Sequence, residues 1–257
     1  MDGLDPFAPF RLDGRVVVVT GASSGLGERF ARVVYAAGAR VVVAARRAHR
    51  LEALAAELDG AVAVPCDVTD DADRERLVAA AVDRFGCLDV LVNNAGMGEK
   101  VSAEDETPDH IRRVLDVNLV GAYRLCQIAG RHMLEQGTGT IVNVASVLGL
   151  VAANNMPQPS YVASKHGLIG LTRDLAQQWA RRGVRVNALC PGWFASEMTM
   201  EGLFNDEGGQ RWIRRSVPMG RGGQVQELDG ALLFLASDAS TYVTGAVLAV
   251  DGGYTAV

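Results

Sequence analysis

Residues 15–27 read Arg15-Val16-Val17-Val18-Val19-Thr20-Gly21-Ala22-Ser23-Ser24-Gly25-Leu26-Gly27, and a helical pattern follows at once through Ala37. Four consecutive valines suit a strand covered on both faces, because β-branched side chains pack well on a pleated surface. Gly21 permits a tight turn without a Cβ clash, and Gly25 lets the backbone approach a diphosphate closely. Gly27 lets the helix close onto the strand. The helix N-terminus then offers free N–H groups and a partial positive charge to an anion. The spacing is G-x-x-x-G-x-G with no following Gly-Lys-Ser/Thr, which argues against an ATP-type phosphate loop.

The same rhythm extends outward. Short β-branched runs predict strands over 15–20, 40–45, 61–65, 88–92, 140–145, 184–189 and 246–250. Helical patterns span 25–37, 48–58, 70–85, 108–134, 160–182 and 224–236, and residues 194–216 read as irregular or helical. Apolar strands separated by helices predict an α/β fold. Right-handed crossovers then give a doubly wound (Rossmann) parallel sheet of about seven strands with helices on both faces. With no linker or composition break, residues 1–257 are expected to form a single domain. It opens on a tail (1–13) that Phe7 and Phe10 would pin to the surface.

Composition narrows the function classes. At 49% hydrophobic and 21% charged, the 257-residue chain is globular. Its net charge of −5 lacks the basic face that nucleic-acid binding needs. No apolar stretch is long enough to span a bilayer, and the N-terminus lacks a signal-peptide pattern. Cys66, Cys87, Cys126 and Cys190 are scattered, so neither a disulfide framework nor a metal site is expected, and a reducing, cytoplasmic setting fits.

The glycine spacing resembles that of the short-chain dehydrogenase/reductase family, and further motifs stand in the family's order. Asn93-Asn94-Ala95-Gly96 follows the fourth strand, Asn118 lies in the next helix, and Ser146 ends the fifth strand. Tyr161-Val-Ala-Ser-Lys165 opens the next helix, and Pro191-Gly192 with Ser196 and Met198 follows the sixth strand. Tyr242-Val-Thr-Gly245 and Asp251-Gly252-Gly253 complete the set. The match runs from about residue 11 to 255 and resembles the 3-oxoacyl-acyl-carrier-protein reductase-like members.

Tyr161 and Lys165, four apart on a helix, share a face. A phenol ionises near pH ~10, and a neighbouring ammonium is expected to favour its phenolate, with desolvation opposing. Tyr161 then protonates the alkoxide formed when hydride reaches a carbonyl, and Ser146 donates to the same oxygen. By resemblance, Lys165 also holds the nicotinamide ribose and Asn118 supports a water-linked proton relay. The competing reading of Asn118 is an amide that satisfies backbone groups across the core. Ser146 and Tyr161 are fifteen apart, wider than the family's usual interval, so the loop around 152–157 should lengthen the substrate cleft.

Ala45 stands where a carboxylate would bond the 2′-hydroxyl of NAD, and Arg46 and Arg47 follow. A guanidinium suits a 2′-phosphate, so NADP(H) is expected, with Arg46 as the selecting residue and NAD as the alternative. The competing reading is a solvated strand end. The dinucleotide is expected on Gly21, Ser23, Ser24, Gly25, Leu26 and Gly27. By resemblance, Asp67 and Val68 meet the adenine, and Asn94, Ala95 and Gly96 line the adenosine ribose side. Tyr161, Lys165, Pro191, Gly192, Phe194 and Ser196 surround the nicotinamide end. Residues 193–219 resemble the family's substrate lid, with Gly202, Gly208 and Gly209 as hinges and with aromatic side chains that either meet substrate or dock the lid. The function implied is interconversion of a small-molecule ketone and secondary alcohol by a homotetramer. An NADP(H)-binding regulator without turnover and a non-redox relative remain alternatives.

Overall fold

The computed structural model describes residues 4–152, 156–195 and 203–256. Among them, seven strands form one parallel sheet: β1 (Val16–Thr20), β2 (Arg40–Ala45), β3 (Val62–Pro65), β4 (Val90–Asn93), β5 (Gly139–Val144), β6 (Val184–Pro191) and β7 (Val247–Val250). The order is β3-β2-β1-β4-β5-β6-β7, so the winding reverses between β1 and β4. Strand alternation feeds two cores. Val17 and Val19 pack with Phe30 and Val34 of α1 (Gly25–Ala36), Leu51 of α2 (Ala48–Glu57) and Leu232 of α8 (Asp229–Ala236). Val16 and Val18 face the other way, against Leu77 of α3 (Asp71–Phe85), Leu125 of α5 (Ala122–Gln136) and Leu175 of α6 (Pro159–Trp179). The four-valine run is therefore apolar throughout because both faces are covered.

Local signals set the helix ends. Asp70 caps α3 by accepting from the Asp73 N–H at 2.9 Å, and Gly86 closes it at φ 84°. Thr107 caps α4 (Pro108–Leu115), whose first residue is a proline. No helix among the described residues is long and apolar enough to cross a membrane.

Two expectations are revised. The helix read over 108–134 runs on to Gln136, but it is not α-helical throughout: a π-helical turn at Asp116–Gly121 joins α4 and α5. Gly121 lies against the Val68 carbonyl with no room for a Cβ, and the widened turn rotates Asn118 inward. Nor do Phe7 and Phe10 pin the tail, for both are exposed. Leu12 does so, buried beneath α1, with its N–H donating to the Ala37 carbonyl at 2.8 Å.

Candidate active site

The winding reversal opens a crevice at the carboxyl ends of β1 and β4, the place where open α/β sheets bind ligands. Gly21 and Gly25 have φ of 67° and 56°, which disfavours other residues. A Cβ on Gly21 would lie 2.9 Å from Ala95 Cα, and one on Gly27 would collide with the Gly21 carbonyl. The two loops are stapled together. The Asn94 amide donates to the Thr20 carbonyl at 2.9 Å, and the Thr20 hydroxyl accepts from the N–H groups of Asn94 and Ala95, both at 3.0 Å. The cleft between them encloses about 480 Å³. Gly21, Ser24, Gly25, Leu26 and Gly27 form one wall and Asn94, Ala95 and Gly96 another. Tyr161 and Lys165 face them, and Pro191, Gly192 and Phe194 lie at the far end.

The arginines divide. Arg46 is exposed beyond the end of β2, whereas Arg47 turns back over the glycine loop and lines the cleft. Its guanidinium donates to the hydroxyls of Ser23 at 3.1 Å and Ser24 at 2.6 Å. Ser24 occupies the N-cap of α1 without capping it, so the first N–H groups of that helix face the cleft uncapped. Asp67 is turned to its own chain, accepting from the Thr69 N–H at 2.9 Å and hydroxyl at 2.7 Å. Val68 is buried, with its carbonyl accepting from Arg74. Ser196, Met198 and Gly202 lie outside the described residues.

Ser146, Tyr161 and Lys165 converge at the floor. Ser146 follows β5, and its hydroxyl accepts from the Leu148 N–H at 3.1 Å and lies close to the Tyr161 phenol. The Lys165 ammonium donates to the Val144 carbonyl at 2.9 Å and sits 5.6 Å from the Tyr161 ring centre. The expectation of a phenol made acidic by this ammonium is reversed. Burial pushes the Tyr161 phenol above its ordinary range, against the opposing bond from Ser146. Burial also pulls the Lys165 ammonium down to about 8, with the Cys190 thiol opposing. Desolvation therefore wins at both groups.

Asn118 pairs with the backbone of Met97 in both directions: its amide oxygen accepts from the N–H and its amide nitrogen donates to the carbonyl, each at 2.8 Å. The same nitrogen donates to the Ser164 hydroxyl at 3.1 Å. Asn118 thus holds the loop after β4 rather than lining the cleft.

Beyond the sequence reading, the cleft is also lined by Met97, Gly98, Val144 and Ala145. Gly98 packs on the Tyr161 ring so tightly that a Cβ would sit 3.0 Å from Cδ2. The glycine run Gly96-x-Gly98 was its only sequence signal. In the described part of the lid, Trp193, Leu203, Ile213 and Val217 bury against Val147, Leu148 and Met156. Trp193 meets Trp212 and Tyr254 edge-on at 5.1 and 5.5 Å. These aromatic groups dock the lid on the body. Gly208 and Gly209 lie in the first turn of α7 (Glu207–Ser216).

The site suits a dinucleotide. Glycines that no Cβ could replace shape the cradle, an uncapped helix N-terminus faces it, and a guanidinium stands at its rim. Comparison with known proteins agrees. The family model described as enoyl-(acyl carrier protein) reductase matches residues 21–255. Galactitol 2-dehydrogenase (L-tagatose-forming) of Cereibacter sphaeroides is 44% identical over 250 residues, covering 96% of this chain and 97% of that protein. A gluconate 5-dehydrogenase from Burkholderia cenocepacia, solved in complex with NADP and tartrate, superposes with a TM-score of 0.92 at 35% identity, covering 98% and 100% of the two chains. A short-chain type dehydrogenase/reductase from Mycobacterium marinum gives 0.92 at 34% identity, covering 97% and 98%. With its glycine loop, Ser-Tyr-Lys floor and parallel sheet matched over nearly the full length, the chain belongs to the short-chain dehydrogenase/reductase family and is an oxidoreductase acting on CH–OH groups.

Proposed function

We propose that this enzyme interconverts a secondary alcohol and a ketone with NADP(H), using Tyr161 as the acid/base. The observation that carries the reading is the phenol itself: it lies beside the Ser146 hydroxyl and the Lys165 ammonium and lines the cleft. When bound, the dinucleotide supplies or accepts the hydride. The chain's own groups handle the proton. Burial keeps Tyr161 protonated at neutral pH, ready to donate to the substrate oxygen as negative charge develops there. The Ser146 hydroxyl supplies a second donor to that oxygen, fixed in advance by the turn it caps. Lys165 stays largely charged near neutrality, so its ammonium stabilises the phenolate left after proton transfer. In the oxidative direction the same phenolate takes the alcohol proton.

NADP(H) is the proposed cofactor because Arg47 reaches the rim and Arg46 flanks it, while Ala45 offers no carboxylate to repel a 2′-phosphate. The gluconate 5-dehydrogenase crystallised with NADP supports this. Galactitol and gluconate, named for two relatives, support a small polyhydroxylated substrate. The four free thiols fit a reducing cytoplasm.

The test follows nicotinamide absorbance with galactitol, gluconate and cyclohexanol as probe alcohols. Tyr161→Phe should lower turnover by about 10²–10⁴-fold while NADPH binding persists. Unchanged turnover in that variant removes the acid/base role. NADPH binding without turnover of any probe alcohol or its ketone would instead favour a regulator.

A further inference from the structure

The loop between Asn93 and α4 carries a buried polar cluster that the reaction does not use. Glu106 ends that loop with a side chain only 4% exposed. A carboxylate so deep needs donors, because burying an unpaired charge is strongly unfavourable. It has two. The Ser160 hydroxyl donates to it in a close hydrogen bond, and His110 Nδ1 lies 2.9 Å from the same oxygen. His110 is itself buried on α4, and its other ring nitrogen makes no hydrogen bond among the described residues. Glu99 approaches that nitrogen at 3.4 Å and is in turn 3.9 Å from Arg113. Ser160 is buried in the first turn of α6, directly before Tyr161.

We infer that Glu106 is a positioning residue for Tyr161, buckling the loop after β4 to the first turn of α6. This inference rests on the acid/base reading of Tyr161. The loop is one wall of the seat of the phenol, because Gly98 packs directly on its ring. Asn118 fixes the near end of that wall through Met97. Glu106 fixes the far end through Ser160 and His110, and between them the Val101 N–H donates to the Pro157 carbonyl at 3.0 Å. Thr107 accepts from the His110 N–H, so Glu106 stands at a rigid helix entrance rather than on a free strand of loop. Removing the carboxylate takes the acceptor from the Ser160 hydroxyl and the partner from His110 Nδ1, and frees the wall to separate from α6. The carboxylate touches no reacting atom, so its effect reaches chemistry only through the placement of the phenol.

The experiment uses the full chain with galactitol and NADP+, turnover being counted per NADPH-binding site. Glu106→Ala should lower kcat about ten-fold or more at a galactitol KM and an NADPH affinity changed by less than about three-fold. Glu106→Gln, which keeps an oxygen to accept from Ser160, should recover to within about three-fold of the parent. A second readout is independent of turnover. With tyrosine labelled at 13Cζ, the Tyr161 signal is the one that Tyr161→Phe removes. In Glu106→Ala it should move toward the position of exposed tyrosines, and in Glu106→Gln it should stay. If Glu106→Ala does not fold, Ser160→Ala carries both measurements, with kcat lowered about three-fold or more. An unmoved Tyr161 signal overturns the buckle, as does an unchanged kcat per binding site. If the parent turns over no probe alcohol, the acid/base reading fails and the NMR arm alone decides the buckle.

Discussion

Lys165 is one of only two lysines against twenty-three arginines, so its place on the site floor is a chemical choice. A guanidinium stays charged wherever it is put, whereas an ammonium can be moved toward neutrality by burial. Here burial pulls it from its ordinary range down to about 8. In the unfolded chain the same group titrates near ~10.4, so between those values the native state binds fewer protons and this lysine's contribution to stability rises with pH. It is complete above the unfolded value and lost as pH falls through about 8. The buried thiols act oppositely, since burial raises them in the folded state. Subtracting Lys165→Met from the parent in denaturant unfolding largely removes that shared background. The parent should gain about 2–3 kcal/mol on the variant between pH 8 and 10, and a flat difference would show the ammonium to be solvated. Arg47 offers a second residue-scale test. Arg47→Ala should weaken NADPH about ten-fold and NADH far less, read by fluorescence titration, because a charge-assisted bond to a phosphate is lost. Ser146, Tyr161 and Lys165 were legible through the order of the family's motifs, and the structure brings the three to one cleft. Arg47 was not singled out over Arg46, since two adjacent basic residues diverge and only the start of α2 decides which one turns inward.

At the scale of elements, β1 and the turn into α1 were legible because glycine geometry and β-branched packing are local. The π turn between α4 and α5 was not. Residues 116–120 contain neither proline nor glycine, and the pattern through them reads as one amphipathic helix. What opens the π turn is tertiary: Gly121 pressed on the Val68 carbonyl, and Asn118 paired with the Met97 backbone. Gly121→Ala therefore meets a wall that its own helix does not announce. A Cβ there should cost about 1–3 kcal/mol, more than the helix propensity of alanine returns, and denaturant midpoints will read it. The same variant should lower turnover, because a shifted turn drags Asn118 off the loop that seats Tyr161. A variant as stable as the parent would mean the turn relaxes freely. The lid divides the same way. Its aromatic richness was visible in the sequence, but its docking on Val147, Leu148 and Met156 depended on which strand ends it met.

For the whole molecule, the two cores account for the apolar faces of the strands and helices but leave other apolar groups in solvent. Val120 is exposed in the π turn and Tyr123 just after it, Tyr242 is fully exposed ahead of β7, and Met219 protrudes from the end of the lid. Scattered singles would need no explanation, but Val120 and Tyr123 lie one turn apart on a single helical face. The resemblance to the family implies a homotetramer with two-fold axes, and we propose that the face bearing Val120 and Tyr123 is one of its contacts. Four chains of 27.2 kDa should scatter light as about 109 kDa. The resemblance to the family already implied that the long fourth and fifth helices and the C-terminal strand region are buried between subunits; the structure adds that Val120 and Tyr123 are left exposed there. Tyr123→Arg puts a charge at the centre of a self-complementary contact, where two-fold symmetry sets it near its own copy. That variant should scatter as a dimer or monomer while still binding NADPH, since Tyr123 is not among the residues that line the cleft. A parent chain that scatters at 27 kDa would leave these side chains as ordinary surface and remove the tetramer.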